Sequence, residues 1–192
     1  MKTARLSLLV VAAIAGIAAA CSEATKPIAP PVSFSSVHLK FGANNEPSFF
    51  DAGLALQSTG ALSGLGMEDL VVRLTAQANV TASCTNQGGT MAPGQQPAAV
   101  TVSGSEAIPA SAIKNGNVAF DVTTTEPERV IAGAPGCPNP NWTEEITDLS
   151  FTSATITVEQ PVGTVVLTVT CTINPPTSDG AVPEQSVVCT ES

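Results

Sequence analysis

Five cysteines, one histidine and a short run of acids are the residues of this 192-residue chain most able to do chemistry. Glu144, Glu145 and Asp148 follow Trp142, the only tryptophan. Two carboxylates facing each other across a cleft can hydrolyse a glycosidic bond, one as acid and the other as base or nucleophile. Such a cleft needs aromatics for the sugar ring, and this chain has six Phe and no Tyr. The cluster therefore reads first as a solvated acidic face. Trp142, Glu144, Glu145 and Asp148 stay as the candidate binding set, and a hydrolase or hydrolase inhibitor is the alternative that would use them. Trp142 either stacks on a ring or partner side chain or covers a nearby disulfide. His38 is the one side chain that could serve as a neutral-pH base in a Ser-His-Asp triad, and it reads as a solvated residue on the polar face of a strand. Asp179-Gly180 and Asn44-Asn45-Glu46 are of the type that holds calcium in loops, but neither has the spacing of a dedicated calcium loop. No cofactor is expected, and calcium is the one ion the acids would suit. Gly60, Gly64 and Gly66 lack the strand-then-helix context of a phosphate loop.

The cysteines are more informative. Cys84, Cys137, Cys171 and Cys189 have no C-x-x-C spacing and no neighbouring His, which argues against zinc and for two disulfides. Cys171 and Cys189 are symmetric about Gly180, so a hairpin turning at Ser178-Asp179-Gly180 would set them opposite each other. Cys84 would then bridge to Cys137, pinning a Gly/Pro loop that has little else to order it. The rival is a Cys84–Cys171 pin between sheets, as in immunoglobulin domains, although Trp142 lies far from where that fold places its tryptophan.

The formal net charge is −9. The first 20 residues hold Lys2 and Arg5 and no acid. Without them the chain keeps five basic against 16 acidic residues, or −11. Such a chain repels phosphate backbones, so no nucleic-acid partner is expected. Hydrophobic residues make up 43% and charged residues 12%, which suits a folded domain.

The elements that must position these residues are strands. Leu70, Val72, Leu74, Ala76, Ala78, Val80, Ala82 and Cys84 alternate with polar residues over fifteen positions, the pattern of a half-buried antiparallel strand. Val165 to Ile173 repeats it. Val118, Phe120 and Val122 form a shorter strand, and Val100 and Val102 another. Phe50, Ala52, Leu54 and Leu56 predict one inward face, and Val37, Leu39 and Phe41 an N-terminal strand. Leu149 to Val158 slips phase near Thr152 or Ser153, as a β-bulge would require. Ser111 to Asn115 fits one helical turn. Gly60 to Gly66, Asn86 to Pro97, Gly133 to Asn141 and Asn174 to Gly180 read as connectors. Seven to nine strands without helices predict an all-β, antiparallel two-sheet β-sandwich, immunoglobulin-like in the broad sense and disulfide-stabilised, over residues 33–192.

Residues 1–20 read as a signal peptide: two cations, then fifteen residues without charge, too short to span a bilayer. The ending Ala18-Ala19-Ala20-Cys21 resembles the lipobox of bacterial lipoproteins, with Ala18 where that family usually has Leu. The resemblance implies that Cys21 becomes a lipidated N-terminus, with residues 21–32 a Pro-rich tether, in the cell envelope. Ser22 then fits outer-membrane sorting. Lipidation also leaves an even number of cysteines. Cleavage after Ala20 to a secreted product is the other reading. Thr81 to Gly89 and Gly136 to Gln160 resemble small secreted bacterial proteins of unassigned function, which implies a disulfide-bearing extracellular β domain and carries over no site residue. The expected function is an anchored, non-catalytic binding or display module, with a glycan, an envelope protein or an extracellular protein as partner. A structural envelope component is a further alternative.

Overall fold

The computed structural model describes residues 37–40, 47–95 and 97–192. They belong to one compact unit, Ser33–Ser192. The signal peptide, Cys21, the tether, Phe41 and Asn44-Asn45-Glu46 lie outside the described residues.

The fold is all-β, built from two antiparallel sheets. In chain order the strands are β1 (His38–Leu39), β2 (Ser48–Asp51), β3 (Leu56–Ser63), β4 (Leu70–Thr85), β5 (Met91–Pro93), β6 (Val100–Ile108), β7 (Val118–Thr123), β8 (Val130–Ile131), β9 (Thr143–Glu159), β10 (Val165–Ile173), β11 (Gly180–Ala181) and β12 (Val187–Glu191). The smaller sheet has the order β1-β3-β2-β11, with β7 on the other side of β3. The larger has the order β12-β10-β9-β4-β5, with β6 also on β4 and β8 on β9. The helical turn expected near Ser111 is a single 3₁₀ turn, Ala110–Ala112.

The alternation of β4 does what its sequence demands. Leu70, Val72, Leu74, Ala76 and Ala78 are buried, and Arg73, Thr75, Gln77 and Asn79 are exposed. Across the sandwich, the buried residues of the larger sheet share one core cluster with Phe49, Leu56, Leu62, Phe120 and Val122 of the smaller. Ala76 sits opposite Ala154, leaving space for the larger side chains around them. The phase slip in β9 is a bulge: Gln77 pairs with Ser153 and Ala78 with Phe151, so Thr152 is the extra residue. A second bulge omits Thr147 between Thr81/Asp148 and Ala82/Ile146.

Two expectations need correction. Phe50 and Ala52 do not face inward; Phe49 and Asp51 are buried, and Phe50 is exposed. A turn through Gly53, at φ 82°, ends β2 and resets the phase before Leu54 and Leu56. Gly60 is not a connector but lies within β3, where a Cβ would come within 2.7 Å of the Phe120 ring. That ring fills the place a side chain would take.

Both disulfides of the favoured pairing are present, Cys84–Cys137 and Cys171–Cys189. Cys171 stands directly opposite Cys189 in the β10–β12 ladder, with Cα atoms 4.0 Å apart. The connection is not a plain hairpin, because the chain between them leaves to place β11 in the smaller sheet before returning. Loop entropy suggests a stabilisation of roughly 3 kcal/mol for the 18-residue separation and roughly 4 kcal/mol for the 53-residue one. Replacing both cysteines of either pair by Ser should lower the urea midpoint, with the larger loss for Cys84/Cys137.

The two sheets join where β7 passes beside β6. Thr125 donates from its amide to the Ser103 carbonyl at 2.9 Å. A Cβ on Gly104 would overlap the Thr123 carbonyl oxygen and lie 2.7 Å from its carbon. Backbone cannot step aside as a flexible side chain can. Gly104→Ala should therefore cost at least about 2 kcal/mol by urea denaturation; a loss below about 0.5 kcal/mol, typical of neutral surface changes, would show that this junction yields freely.

Candidate functional site

Adjacent residues of a strand face opposite ways, and this divides the acids after Trp142. Glu144 points inward and is fully buried. One carboxylate oxygen accepts from the Gly136 amide at 2.9 Å, and the other, Oε1, has no hydrogen-bond partner among the described residues. Gly136 is bare on this side: a Cβ would crowd Glu144 and lie 2.7 Å from the Gln95 carbonyl oxygen. Glu144 stands opposite Cys84, so it lies beneath the loop that the Cys84–Cys137 bridge pins. Glu145 is exposed beside Asn86, Gln87 and Asn141. Trp142 is half-buried at the foot of β9, its amide donating to the Asn139 carbonyl at 3.2 Å. The expected surface patch of Glu144, Glu145 and Asp148 is therefore not one patch, since the first acid is internal.

Asp148 belongs to a different group. Past the Thr147 bulge it lies half-buried near Asp51 and Asp179. A Cβ on Gly53 would sit 3.6 Å from Asp179 Oδ1 and 4.0 Å from Asp148 Oδ1. Asp51 is the organiser of this group. Its Oδ1 accepts from the Gly53 amide at 2.9 Å, and its Oδ2 accepts from the Thr177 hydroxyl. Thr177 Oγ1 accepts in turn from the Phe151 amide at 2.8 Å, and the Thr177 amide donates to the Phe151 carbonyl at 3.0 Å. A buried carboxylate thus ties β2, the 174–180 segment and β9 together.

Burial pushes the Asp51 carboxyl above its ordinary value; the bonds from Thr177 and Gly53 pull the other way, and Asp148 and Asp179 add repulsion. Burial, then repulsion from Asp179, raises Asp148 too. Among the described residues, no three His, Cys, Asp or Glu side chains gather closely enough to hold a metal ion. Asp51 Oδ1 and Oδ2 each accept one internal bond.

His38 Nε2 lies 2.9 Å from Ser63 Oγ, its cross-strand neighbour. A nucleophilic serine also needs amide donors for an oxyanion. The Leu65 and Gly66 amides just after Ser63 already donate, to the Gly116 carbonyl and to Gln160 Oε1.

A further candidate surface is one that no single motif announces. On the outer face of the larger sheet, Thr190, Thr170, Thr155, Thr75 and Ser103 form a row across five strands. Thr172, Ser153, Gln77 and Thr101 form a second row beside it, and Thr168, Thr157, Arg73 and Ser105 a third. Arg73 is closed on Glu159 at 2.7 Å, so the face carries hydroxyls and methyls with little open charge.

A carboxyl raised by folding binds its proton more tightly folded than unfolded, so its cost to stability is complete at neutral pH and relieved as pH falls through its raised value. Asp51→Asn removes the Asp51 part. Between about pH 4 and pH 7 the variant's stability should rise relative to wild type, by about 1.4 kcal/mol for each unit by which folding raises Asp51. Urea midpoints at both pH values test this; parallel pH dependence in the two proteins would rule it out.

No family model, curated protein or solved structure matches this chain.

Proposed function

We propose that this chain is a lipid-anchored protein of the cell envelope, held in the outer membrane of a two-membrane cell, whose β-sandwich binds a partner rather than catalysing a reaction. The anchoring part rests on Ala18-Ala19-Ala20-Cys21 and its upstream charge pattern. Two disulfides suit an oxidising compartment outside the cytoplasm. The single observation that carries the binding part is the hydroxyl-rich outer face of the larger sheet. Strands about 4.8 Å apart, with same-face residues roughly 6.7 Å apart along each, make it a regular lattice of donors, acceptors and methyl groups. The rest of the domain is strongly acidic, while this face has its one guanidinium neutralised. An uncharged, hydroxyl-rich polymer, in practice an envelope or extracellular glycan, is the ligand class that fits such a lattice. Disposal of Glu144 inside the fold and of the Leu65 and Gly66 amides in internal bonds favours this over hydrolysis.

The test has two parts. Protein purified from its host's membrane should have the mass of residues 21–192 plus a diacylglycerol, with four cysteines alkylated only after reduction. A lipid-free mass and secretion into the medium would replace the anchor with ordinary cleavage after Ala20. The same protein should bind immobilised envelope polysaccharide, and Thr75→Lys with Thr170→Lys should weaken binding at least about tenfold without moving the urea midpoint by more than about 0.5 kcal/mol equivalent. Undiminished binding by the double variant would remove the face from the reading.

A further inference from the structure

One end of the sandwich combines exposed apolar side chains with the point where the chain enters the fold. The Gly64–Asp69 turn and the hairpin tip after Glu159 are fastened by Gln160, which is fully buried. Its Oε1 accepts from the Gly66 amide at 2.8 Å, and its Nε2 donates to the carbonyls of Gly66 at 3.1 Å and Glu68 at 2.8 Å. The two loops therefore form one rigid tip. On it Met67, Val162 and Val165 are 70%, 55% and 57% exposed. Residues 161–166, Pro-Val-Gly-Thr-Val-Val, carry no charge. β1 runs antiparallel to β3 with His38 opposite Ser63, and the Gly64–Asp69 turn follows Ser63. The chain before His38 thus reaches the fold at this same end. The Lys114 turn adjoins it, through the bond from the Leu65 amide to the Gly116 carbonyl, and Lys40 and Lys114 line one groove there. Of the carboxylates nearby, Glu68 is exposed beside Met67, Asp69 accepts from the Ala110 amide and Glu159 is closed on Arg73.

We infer that this tip rests on the lipid surface to which Cys21 is anchored, with Met67, Val162 and Val165 entering the interface. The inference rests on the anchoring proposed above. Fifteen residues lie between Cys21 and Val37. A chain of that length reaches at most about 55 Å. It holds the tip at an effective concentration near millimolar, so a contact with a dissociation constant of about 1 mM is half occupied. Three exposed apolar side chains supply a contact of that strength, and two lysines at the margin offset the exposed carboxylates Glu68 and Asp69 of the same turn and suit headgroup phosphates. The strands then stand upright on the membrane, and the hydroxyl face looks sideways into the envelope.

The two methionines of the folded domain supply the test. Met67 lies at the tip, and Met91, 69% exposed, lies opposite Thr85 at the other end of β4, roughly 50 Å away. In solution the two should be oxidised by hydrogen peroxide at similar rates. The membrane-purified chain, reconstituted in phosphatidylethanolamine/phosphatidylglycerol vesicles, should form sulfoxide at Met67 at least about threefold more slowly than at Met91, read by peptide mass spectrometry. Val162→Glu with Val165→Glu should abolish the difference. Equal oxidation of the two residues on vesicles, with a lipid confirmed on Cys21, overturns the contact while leaving the anchor intact. A Cys21 without lipid overturns the anchor; the chain is then mixed with the same vesicles, and unprotected Met67 overturns the contact as well.

Discussion

The structure depends on the antiparallel ladder between β4 and β9. These are the two longest strands, and their pairing runs from Val71/Glu159 to Thr85/Thr143. Every other strand of the larger sheet attaches to one of them, except β12, which attaches through β10. The opposite edge of β9 is covered piecemeal. β8 takes its first residues, the Arg129 carbonyl Ile146, the Gly53 carbonyl Leu149, Thr177 Phe151, and β10 the remainder. A long strand with one edge left open would be a template for pairing with another chain. Here four separate segments close it, and two of them, at Gly53 and Thr177, come from outside the larger sheet. Attachment to β9 is thus also what fastens the two sheets together.

That arrangement explains why two carboxylates lie inside the fold. Asp51 accepts from two partners on two segments, and the cost of its burial is offset by the closure it provides at Phe151. Glu144 accepts from Gly136 and holds the Pro/Gly loop against β9, where the disulfide to Cys84 holds it a second time. Neither loop has a run of apolar side chains that would dock it by burial alone. Polar bonds and a covalent bridge do the work that hydrophobic packing does at the centre.

Much of this was legible in the sequence, for reasons visible residue by residue. β4 alternates without a break because one face meets the core and the other meets water along its whole length. The bulge at Thr152 showed as a change of phase because apolar residues flank it on both sides. The disulfide pairing was readable from the symmetry of Cys171 and Cys189 about a turn, even though the connection is longer than a hairpin. Asp51 was missed because Phe49 and Phe50 satisfy either phase, and only the turn at Gly53 decides between them. The bond between Asp51 and Thr177 spans 126 residues, and no local pattern announces it. The hydroxyl face was visible only as polar residues at the outward positions of single strands; its rows need the register between strands, which periodicity within one strand does not contain. Glu144 and Glu145 lie ahead of the segment read as strand, Leu149 to Val158; β9 begins earlier, at Thr143, and its alternation separates them.

One bond has a consequence for the order in which the molecule is made. The amide of Leu39, in the first strand, donates to Glu191 Oε1, in the last, at 3.0 Å. Cys189, which closes the second bridge, is only three residues from Ser192. Synthesis proceeds from the N-terminus, so β1 can pair with β3 early, but this bond waits until β12 has been made. With the strands of β9, β10 and β12 arriving late and their contacts so distant in sequence, stable structure forms slowly and at the end. The fold therefore closes on itself only when its last strand is available to its first.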